Sequence, residues 1–435
     1  MADYLPEHLI VQILQRLPIK SLIRFTSVSK RWRLIILSDP NFAKSQFQQS
    51  RSRRVLCLDR KESEFDSRDM ESPWSTGESS TDRKLSCPFK QPGYNLNALF
   101  SCNGLVCAAL SDRNWTDLNI YLWNPSTQFF KKLPGAPLRF PFTRCYGFGY
   151  LSATGDYRVL IGNFCTLNNN HHIFSSNTNS WKSIQSPLPV QRDDQWILSN
   201  EALHSVEKEI LAFDLNHDKF QTMPLPDPEP GQYIRELGDF RGCLCAFDYK
   251  NQCIGFIDLW VMKEYNVGES WTKFFTLKIF DLQPMVVRYL RPIMVMETST
   301  ILEIELSNDR RLIDTEFKLI KSCHKEEKFE THKISRKMYA KMIGYEESLL
   351  WLGVHNNRNC PMELAKKARN ASEAEGQNNG EQGRMNSVNV ANQGSNPVNV
   401  CVQNHGSSSV DVQLQTKQAT VKEQVSRAPK RSRKV

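Results

Sequence analysis

Nothing in these 435 residues is apolar for long enough to cross a membrane: no run approaches the roughly 18 residues a spanning helix needs. The opening MADYLPEH lacks both the basic start and the long apolar run of a secretory leader, so a soluble, intracellular protein is expected. Asn114-Trp115-Thr116 and Asn370-Ala371-Ser372 then read as idle glycosylation patterns. No C-x-x-C pair occurs among the 12 cysteines, which points to reduced, mostly buried thiols rather than a disulfide or zinc framework. Cys243 and Cys245 alternate as neighbours on one face of a strand would. Cys165 with His171 and His172 is the nearest approach to a metal cluster, and no second ligand group lies close to it in sequence. Also missing are G-x-S-x-G, a Cys-His context for acyl transfer, and a glycine-rich loop leading into a helix and a lysine. With 30 acidic residues between 93 and 354, no pair of glycosidase carboxylates can be singled out. A non-catalytic chain with no metal, no cofactor and no small-molecule substrate is therefore expected.

What is present is unevenly charged. The formal total of +9 divides into +4 over residues 1–50, +1 over 51–92, −2 over 93–354 and +6 over 355–435. Phosphate attraction over the body would need a broad basic surface, which −2 does not supply. The excess on residues 1–50 suits an acidic docking partner instead.

Residues 5–42 read LPEHLIVQILQRLPIKSLIRFTSVSKRWRLIILSDPNF, and three short helices can be drawn through them. Pro6 fits a first helical turn, Pro18 pushes Leu17 out of helical geometry, and Ser29 can cap a segment that stops before Pro40. Leu9, Ile13 and Leu17 share a face that Ile10 and Leu14 widen, while Leu34, Ile35, Ile36 and Leu37 point to almost every side. Of the 33 residues from 5 to 37, 17 are apolar, more than the roughly three in seven of a core-facing helix. So small a unit cannot hide them all, and the surplus must meet another protein or the domain that follows. The order Leu5-Pro6, Ile13-Leu14, Leu17-Pro18, Lys20-Ser21-Leu22, Arg24-Phe25, Val28-Ser29-Lys30 and Trp32 resembles the F-box, the motif that docks substrate receptors onto SCF ubiquitin ligases. The resemblance implies an adaptor-binding surface built or supported by Leu5, Pro6, Leu9, Ile13, Leu14, Leu17, Pro18, Leu22, Phe25, Val28 and Trp32.

From 49 to 92 the chain is charged and serine-rich, which reads as a linker with one possible first strand at residues 55–58. Beyond Tyr94 the apolar period changes to that of strands, in GLVCAAL, NIYLWNPSTQFF, CYGFGYLSATGDYRVLIG and EILAFDLNHDKFQTMPLP. An apolar run ending in an aromatic, a polar turn and a further strand recurs around Trp123, Phe174, Phe213 and Trp260, at steps of 51, 39 and 47 residues. Such spacing fits β-propeller blades, and residues 93–354 would hold about six at roughly 45 residues each. Trp123, Trp181, Trp260 and Trp271 are expected between blades, and Gly104, Gly147, Gly149 and Gly242 at turns or close backbone approaches.

The phrases SCNGLVC, LWNPSTQFFKKLP, YGFGY, NTNSWK, LAFDL, RGCLC and VMKEYNVGESWTKFF resemble the plant F-box-associated interaction domain, a kelch-like β-propeller. One departure stands out. Where that family has Asn-Gly-Ala-Leu-His-Trp, this chain has Asn200, Glu201, Ala202, Leu203, His204 and Ser205, which predicts an altered turn and a less packed strand.

Residues 355–435 are rich in Asn, Gln, Gly and Ser, too poor in partnered apolar groups to repay the entropy of folding, and are expected to be disordered. Lys430, Arg431, Arg433 and Lys434 near their end form a candidate nuclear-import signal. The expected architecture is an α+β multidomain chain: a three-helix F-box over 1–48, a linker over 49–92, a mainly-β propeller over 93–354 and a basic tail. The resemblance implies a substrate-recognition subunit of an SCF-type ligase in the nucleus, the cytoplasm or both. It would bind a Skp-type adaptor, through it cullin and RING subunits, and a target protein, with no membrane partner. The alternatives are a ligase-independent binding module and a basic nuclear nucleic-acid binder.

Overall fold

Two prolines and one serine punctuate the N-terminal helices. Helix α1 (Glu7–Gln15) starts after Pro6 and α2 (Ile19–Phe25) after Pro18, each proline extended at ψ 141° and 146°. Helix α3 (Lys30–Ser38) is capped by the Ser29 hydroxyl, which accepts from the Trp32 N–H at 3.1 Å. A fourth helix, α4 (Pro40–Gln49), corrects the expected three: Pro40, which stops α3, also opens the next helix. Asp39 caps it, accepting from the N–H groups of Asn41 at 2.9 Å and Phe42 at 3.2 Å. The computed structural model describes residues 6–49, 52–59, 64–70, 83–114, 116–137, 143–163, 170–186, 195–206, 208–227, 232–250, 256–278, 286–307, 315–325, 329–334 and 342–351. The expected tail lies outside them.

The strands then come in fours. The chain lays down β1 (Arg53–Asp59), β2 (Glu64–Asp69) and β3 (Arg83–Ser86), then β4 (Tyr94–Cys102), β5 (Leu105–Asp112), β6 (Leu118–Trp123) and β7 (Phe130–Lys132). Next are β8 (Thr143–Leu151), β9 (Asp156–Asn163), β10 (Asn170–Ser175) and β11 (Ser180–Gln185), and β12 (Gln195–Ser199), β13 (Ala202–Val206), β14 (Ile210–Asp214) and β15 (Lys219–Met223). The last sets are β16 (Gln232–Phe240), β17 (Cys243–Lys250), β18 (Phe256–Met262) and β19 (Trp271–Lys278), and β20 (Val286–Val295), β21 (Ser299–Ser307), β22 (Thr315–Cys323) and β23 (Phe329–Ile334). Finally β24 (Met342–Glu346) returns to pair antiparallel with β1, giving the sheet order β24-β1-β2-β3. Each other set is an antiparallel meander. Two of them, β8–β11 and β12–β15, fuse into one eight-stranded sheet through a short parallel pairing of Gln195 and Trp196 with Tyr146 and Gly147.

These six four-stranded units close into a ring. The innermost strands neighbour one another in the cycle β24, β4, β8, β12, β16, β20 and back to β24. Apolar cores fill the gaps between consecutive units. Phe65 and Trp123 meet between the first two, Tyr146 and Leu122 between the next, Ile173 and Trp196 between the third and fourth. Met223 and Trp271 follow, then Phe247 and Ile304, and Val55 with Ile301 completes the circle. The expected linker over 49–92 is thus corrected: it contains three strands of the unit that closes the ring. Its alternation is weak because buried polar groups replace part of the apolar face. Arg54, fully buried, donates from Nε to the Ser67 hydroxyl at 2.6 Å and from Nη2 to the Ser67 carbonyl at 2.7 Å, and Ser67 Oγ lies 2.8 Å from the Tyr345 hydroxyl.

The tryptophans hold neighbouring units together. Trp181 on β11 donates from Nε1 to the carbonyl of Pro134, and Trp271 on β19 does the same to Pro224, both at 3.0 Å. Each acceptor follows the outer strand of the preceding unit. Trp123, Phe174 and Phe213 all sit on third strands just before a turn. Trp260 does not share their place. A bulge between Leu259 and Trp260 shifts β18 against β19, and the residue before the equivalent turn is Val261.

The departure at 200–205 leaves the turn unchanged. Asn200 and Glu201 adopt φ of 50° and 57°, matching Asn103 and Gly104 at 49° and 75° and Arg241 and Gly242 at 57° and 80° in the equivalent hairpins. Glu201 tolerates this conformation with help from its side chain, whose Oε1 accepts from the Ser152 N–H at 2.9 Å and from the Ser152 hydroxyl at 2.5 Å. The strand beyond is buried along its length, which corrects the expectation of loose packing. Within it, His204 lies with Nε2 2.9 Å from the Tyr265 hydroxyl and Nδ1 3.3 Å from the Ile197 carbonyl.

Burial pushes the His204 imidazole down to about 4. Between that value and the ordinary 6.5 the unfolded chain binds a proton that the folded chain does not. Stability from this group is therefore complete above 6.5 and is lost as pH falls towards 4. Acidification from pH 7 to pH 5 should cost about 2 kcal/mol through His204. Comparing melting at the two pH values in wild type and His204→Gln checks this, the variant being expected to show the smaller drop.

Candidate functional site

The helices hide one side and leave another bare. Leu14, Ile19, Leu22, Ile35, Ile36, Phe42 and Ala43 form their core. Phe25 and Trp32 close one flank edge to face, with ring centroids 5.5 Å apart, and Gln46 is buried with its amide 3.5 Å from the Leu17 carbonyl. Eight large apolar side chains are exposed among the described residues, and four of them belong to the helices or the turn that joins α2 to α3: Leu9 at 37%, Ile13 at 52%, Val28 at 60% and Leu34 at 47%. Pro6 and Pro18 are exposed beside them. Leu9 and Ile13 are one helical turn apart on α1, so they form a continuous ridge. An apolar surface so concentrated on a domain of 44 described residues is the signature of a protein partner.

The surface around that ridge is basic. All seven Lys and Arg side chains of residues 6–49 are exposed, while Glu7 is tied to Arg31 by an ion pair. A negatively charged partner face would be drawn to it, more strongly at low salt.

Ten of the eleven residues named from the sequence are described, and they fall into three classes. Pro6, Leu9, Ile13, Pro18 and Val28 are exposed, Leu17, Phe25 and Trp32 are half-buried, and Leu14 and Leu22 are core residues that can act only by holding the helices together. Leu5 and the basic quartet Lys430, Arg431, Arg433 and Lys434 lie outside the described residues. Leu34 was missed. Its signal was the run Leu34-Ile35-Ile36-Leu37, of which Ile35 and Ile36 turn inward and Leu34 does not.

A second feature had no counterpart in the sequence reading. Leu349, from the far end of the described chain, is buried in the helical core, with Leu350 packed beside it. Immediately before them, Ser348 and Glu347 are also buried, and the Glu347 carboxylate takes the Arg83 guanidinium at 2.6 Å and the Ser52 hydroxyl at 3.0 Å.

No group of His, Cys, Asp and Glu able to hold a metal occurs among the described residues, and Cys165 lies outside them. Of the eight described cysteines, five are buried and three partly so. Cys102 and Cys107 are fully enclosed, and burial raises both thiols far above the ordinary range. They are packing groups.

Comparison with known proteins agrees with this two-part organisation. Residues 3–44 match the F-box domain, and residues 62–356 match the F-box associated beta propeller domain. The chain is 28% identical to the Arabidopsis thaliana F-box protein CPR1, over 70% of this chain and 80% of that one. It is 27% identical to the F-box/kelch-repeat protein At3g23880 of the same plant, over 68% and 84% respectively. F-box protein At3g07870, also from Arabidopsis thaliana, is 28% identical over 63% of this chain and 73% of its own. The second match begins inside the segment expected to be a linker and ends just past the residues that enter the helical core, so every strand of the described ring except β1 lies within it: this chain belongs to the F-box proteins that carry an F-box-associated β-propeller.

Proposed function

We propose that this chain is the substrate-recognition subunit of an SCF-type ubiquitin ligase, with its helices on a Skp-type adaptor and its propeller on a target protein. The observation that carries the reading is the exposed apolar ridge of Leu9 and Ile13 with Val28 and Leu34, set in a basic surface on a domain matching the F-box. Chemistry is borrowed in this reading. Ubiquitin arrives on a separate conjugating enzyme held by the cullin and RING subunits, and the receptor raises the effective concentration of target lysines near the thioester.

The direction of the strands suggests where the target sits. The chain enters β1 and leaves β24 at one end of the ring, the end that also carries the turns 103–104, 200–201 and 241–242. Leu349 joins the helical core from that end. The opposite end is free of the adaptor, and we place the target there.

Co-expression with an Arabidopsis thaliana Skp-type adaptor, a cullin and a RING subunit tests the proposal. The full chain should co-elute with the adaptor in equal amounts and, with a conjugating enzyme added, should support ubiquitin transfer to itself or to a captured target. Adaptor binding without cullin recruitment would indicate a ligase-independent module. No adaptor binding by a folded chain would overturn the reading.

A further inference from the structure

The residues after β24 form a strap that ties the helices to the ring, and its contacts fall on two phrases that the packing of the blades does not explain. Asn124, in LWNPST, is fully buried; its Nδ2 donates to the Ser348 carbonyl at 3.0 Å and to the Leu350 carbonyl at 2.8 Å, while its Oδ1 accepts from the N–H groups of Ser126 at 2.8 Å and Thr127 at 3.1 Å. One side chain thus shapes its own turn and holds the strap. Asn103-Gly104, in SCNGLVC, forms the other cradle. The Ser348 hydroxyl donates to the Asn103 carbonyl at 3.2 Å, and a Cβ on Gly104 would collide with the Ser348 side chain and the Glu346 carbonyl. Gly104 also has φ +75°, which alone favours glycine. Beyond them Trp351 meets Phe129, ring centroids 5.9 Å apart, and the Glu347 N–H donates to the Ser52 carbonyl at 2.8 Å.

We propose that residues 347–351 are a coupling strap through which the propeller completes the F-box, so that the helices reach full stability and a fixed orientation only when the strap is seated in the Asn103-Gly104 and Asn124 cradles. The argument is one of burial and reach. Leu349 is 5% exposed inside a core whose other members all lie within residues 14–43, and the two residues on its flanks are held by hydrogen bonds to the ring. A domain of some forty residues is marginal alone, so one leucine delivered from outside is a large share of its core. Linkage then runs both ways: whatever steadies the helices also steadies the strap, and loosening the strap weakens any partner's hold on the helices. The consequence for a docking subunit is that adaptor and target are presented at a fixed separation rather than on a flexible joint. That consequence rests on the ligase reading; the coupling itself does not.

Hydrogen exchange followed by mass spectrometry on the full chain, with no adaptor present, tests the coupling. Leu349→Ala should speed exchange of the α1–α4 amides by about tenfold or more while those of β16–β19, on the far side of the ring, keep their wild-type rates. Asn124→Ala leaves the helical core's own side chains untouched and should give the same pattern; Leu349→Met, which conserves volume, should leave the helices protected. Helix protection unchanged in both Leu349→Ala and Asn124→Ala would overturn the proposal, as would equal acceleration of the far strands, which would mark plain destabilisation of the whole fold. Because the measurement contains no adaptor, an error in the ligase reading would show as wild-type protein that never binds adaptor, whatever the exchange result.

Discussion

A chain that ends after Ile334 should lose the cooperative melting of the ring, whereas one that ends after residue 354 should melt as the full chain does. The short strand β24 decides the difference. It pairs with β1 from Arg53 to Cys57 and lies between the inner strands β4 and β20, so it is both the mate of the first strand and a segment of the ring wall. Met342, Ile343 and Tyr345 are buried on it, and Arg291, itself bound to Glu303, donates to the Met342 carbonyl at 2.7 Å. Leu349 goes with the same deletion. Four buried side chains at roughly 1.5 to 3 kcal/mol each amount to about 6 to 12 kcal/mol, comparable with the roughly 5 to 15 kcal/mol that holds a whole domain together. The deletion would also bare the edge of β1, an invitation to aggregate. Calorimetry of the two truncations is the check, and an intact transition in the shorter one would mean that the ring does not need its closure.

The same strand shows what the sequence could not announce. Alternation within a hairpin is local, which is why third strands with Trp123, Phe174 and Phe213 at or next to their last position stand out as a repeat. Closure joins residue 55 to residue 344, and neither MIGYE nor RRVLCLD contains a trace of the other. The second strand, EFDSRD, turns only Phe65 and Ser67 fully inward, so its apolar signal is a single residue, and the buried Arg54 network that stands in for the rest looks like solvated surface in one dimension. The bulge that moves Trp260 out of the repeat is likewise a tertiary event. The helical domain was legible for the opposite reason: its prolines, its cap and its surplus of apolar residues act within a few positions of one another. Which of those apolar residues face outward was not, because Leu349 fills part of the space and fixes how the helices turn.

Exposure divides the ten described F-box positions, and the division predicts two kinds of failure from substitutions in one short stretch. Ile13→Glu and Val28→Glu change side chains that are 52% and 60% exposed, so stability should change only within the range typical of surface substitutions, about 0.5 kcal/mol either way, with little shift in melting temperature. Adaptor binding by the same proteins should fall about thirtyfold or more, the effect of losing one interface anchor of roughly 2 kcal/mol, with an unpaired carboxylate added to an apolar contact. Leu22→Ala behaves differently. Leu22 is fully buried among Leu14, Ile19 and Ile36, and the cavity left behind should cost about 2 to 5 kcal/mol, enough to unfold so small a set of helices. Its adaptor binding should also vanish, but together with the helical circular dichroism and not ahead of it. Lowering the temperature should restore part of the binding of Leu22→Ala and none of that lost by the two glutamate variants, because only the first defect is an equilibrium between folded and unfolded helices. If Ile13→Glu and Val28→Glu hold the adaptor as tightly as wild type, the ridge on α1 is not the docking face, and the exposed Leu34 side of α3 becomes the surface to alter next.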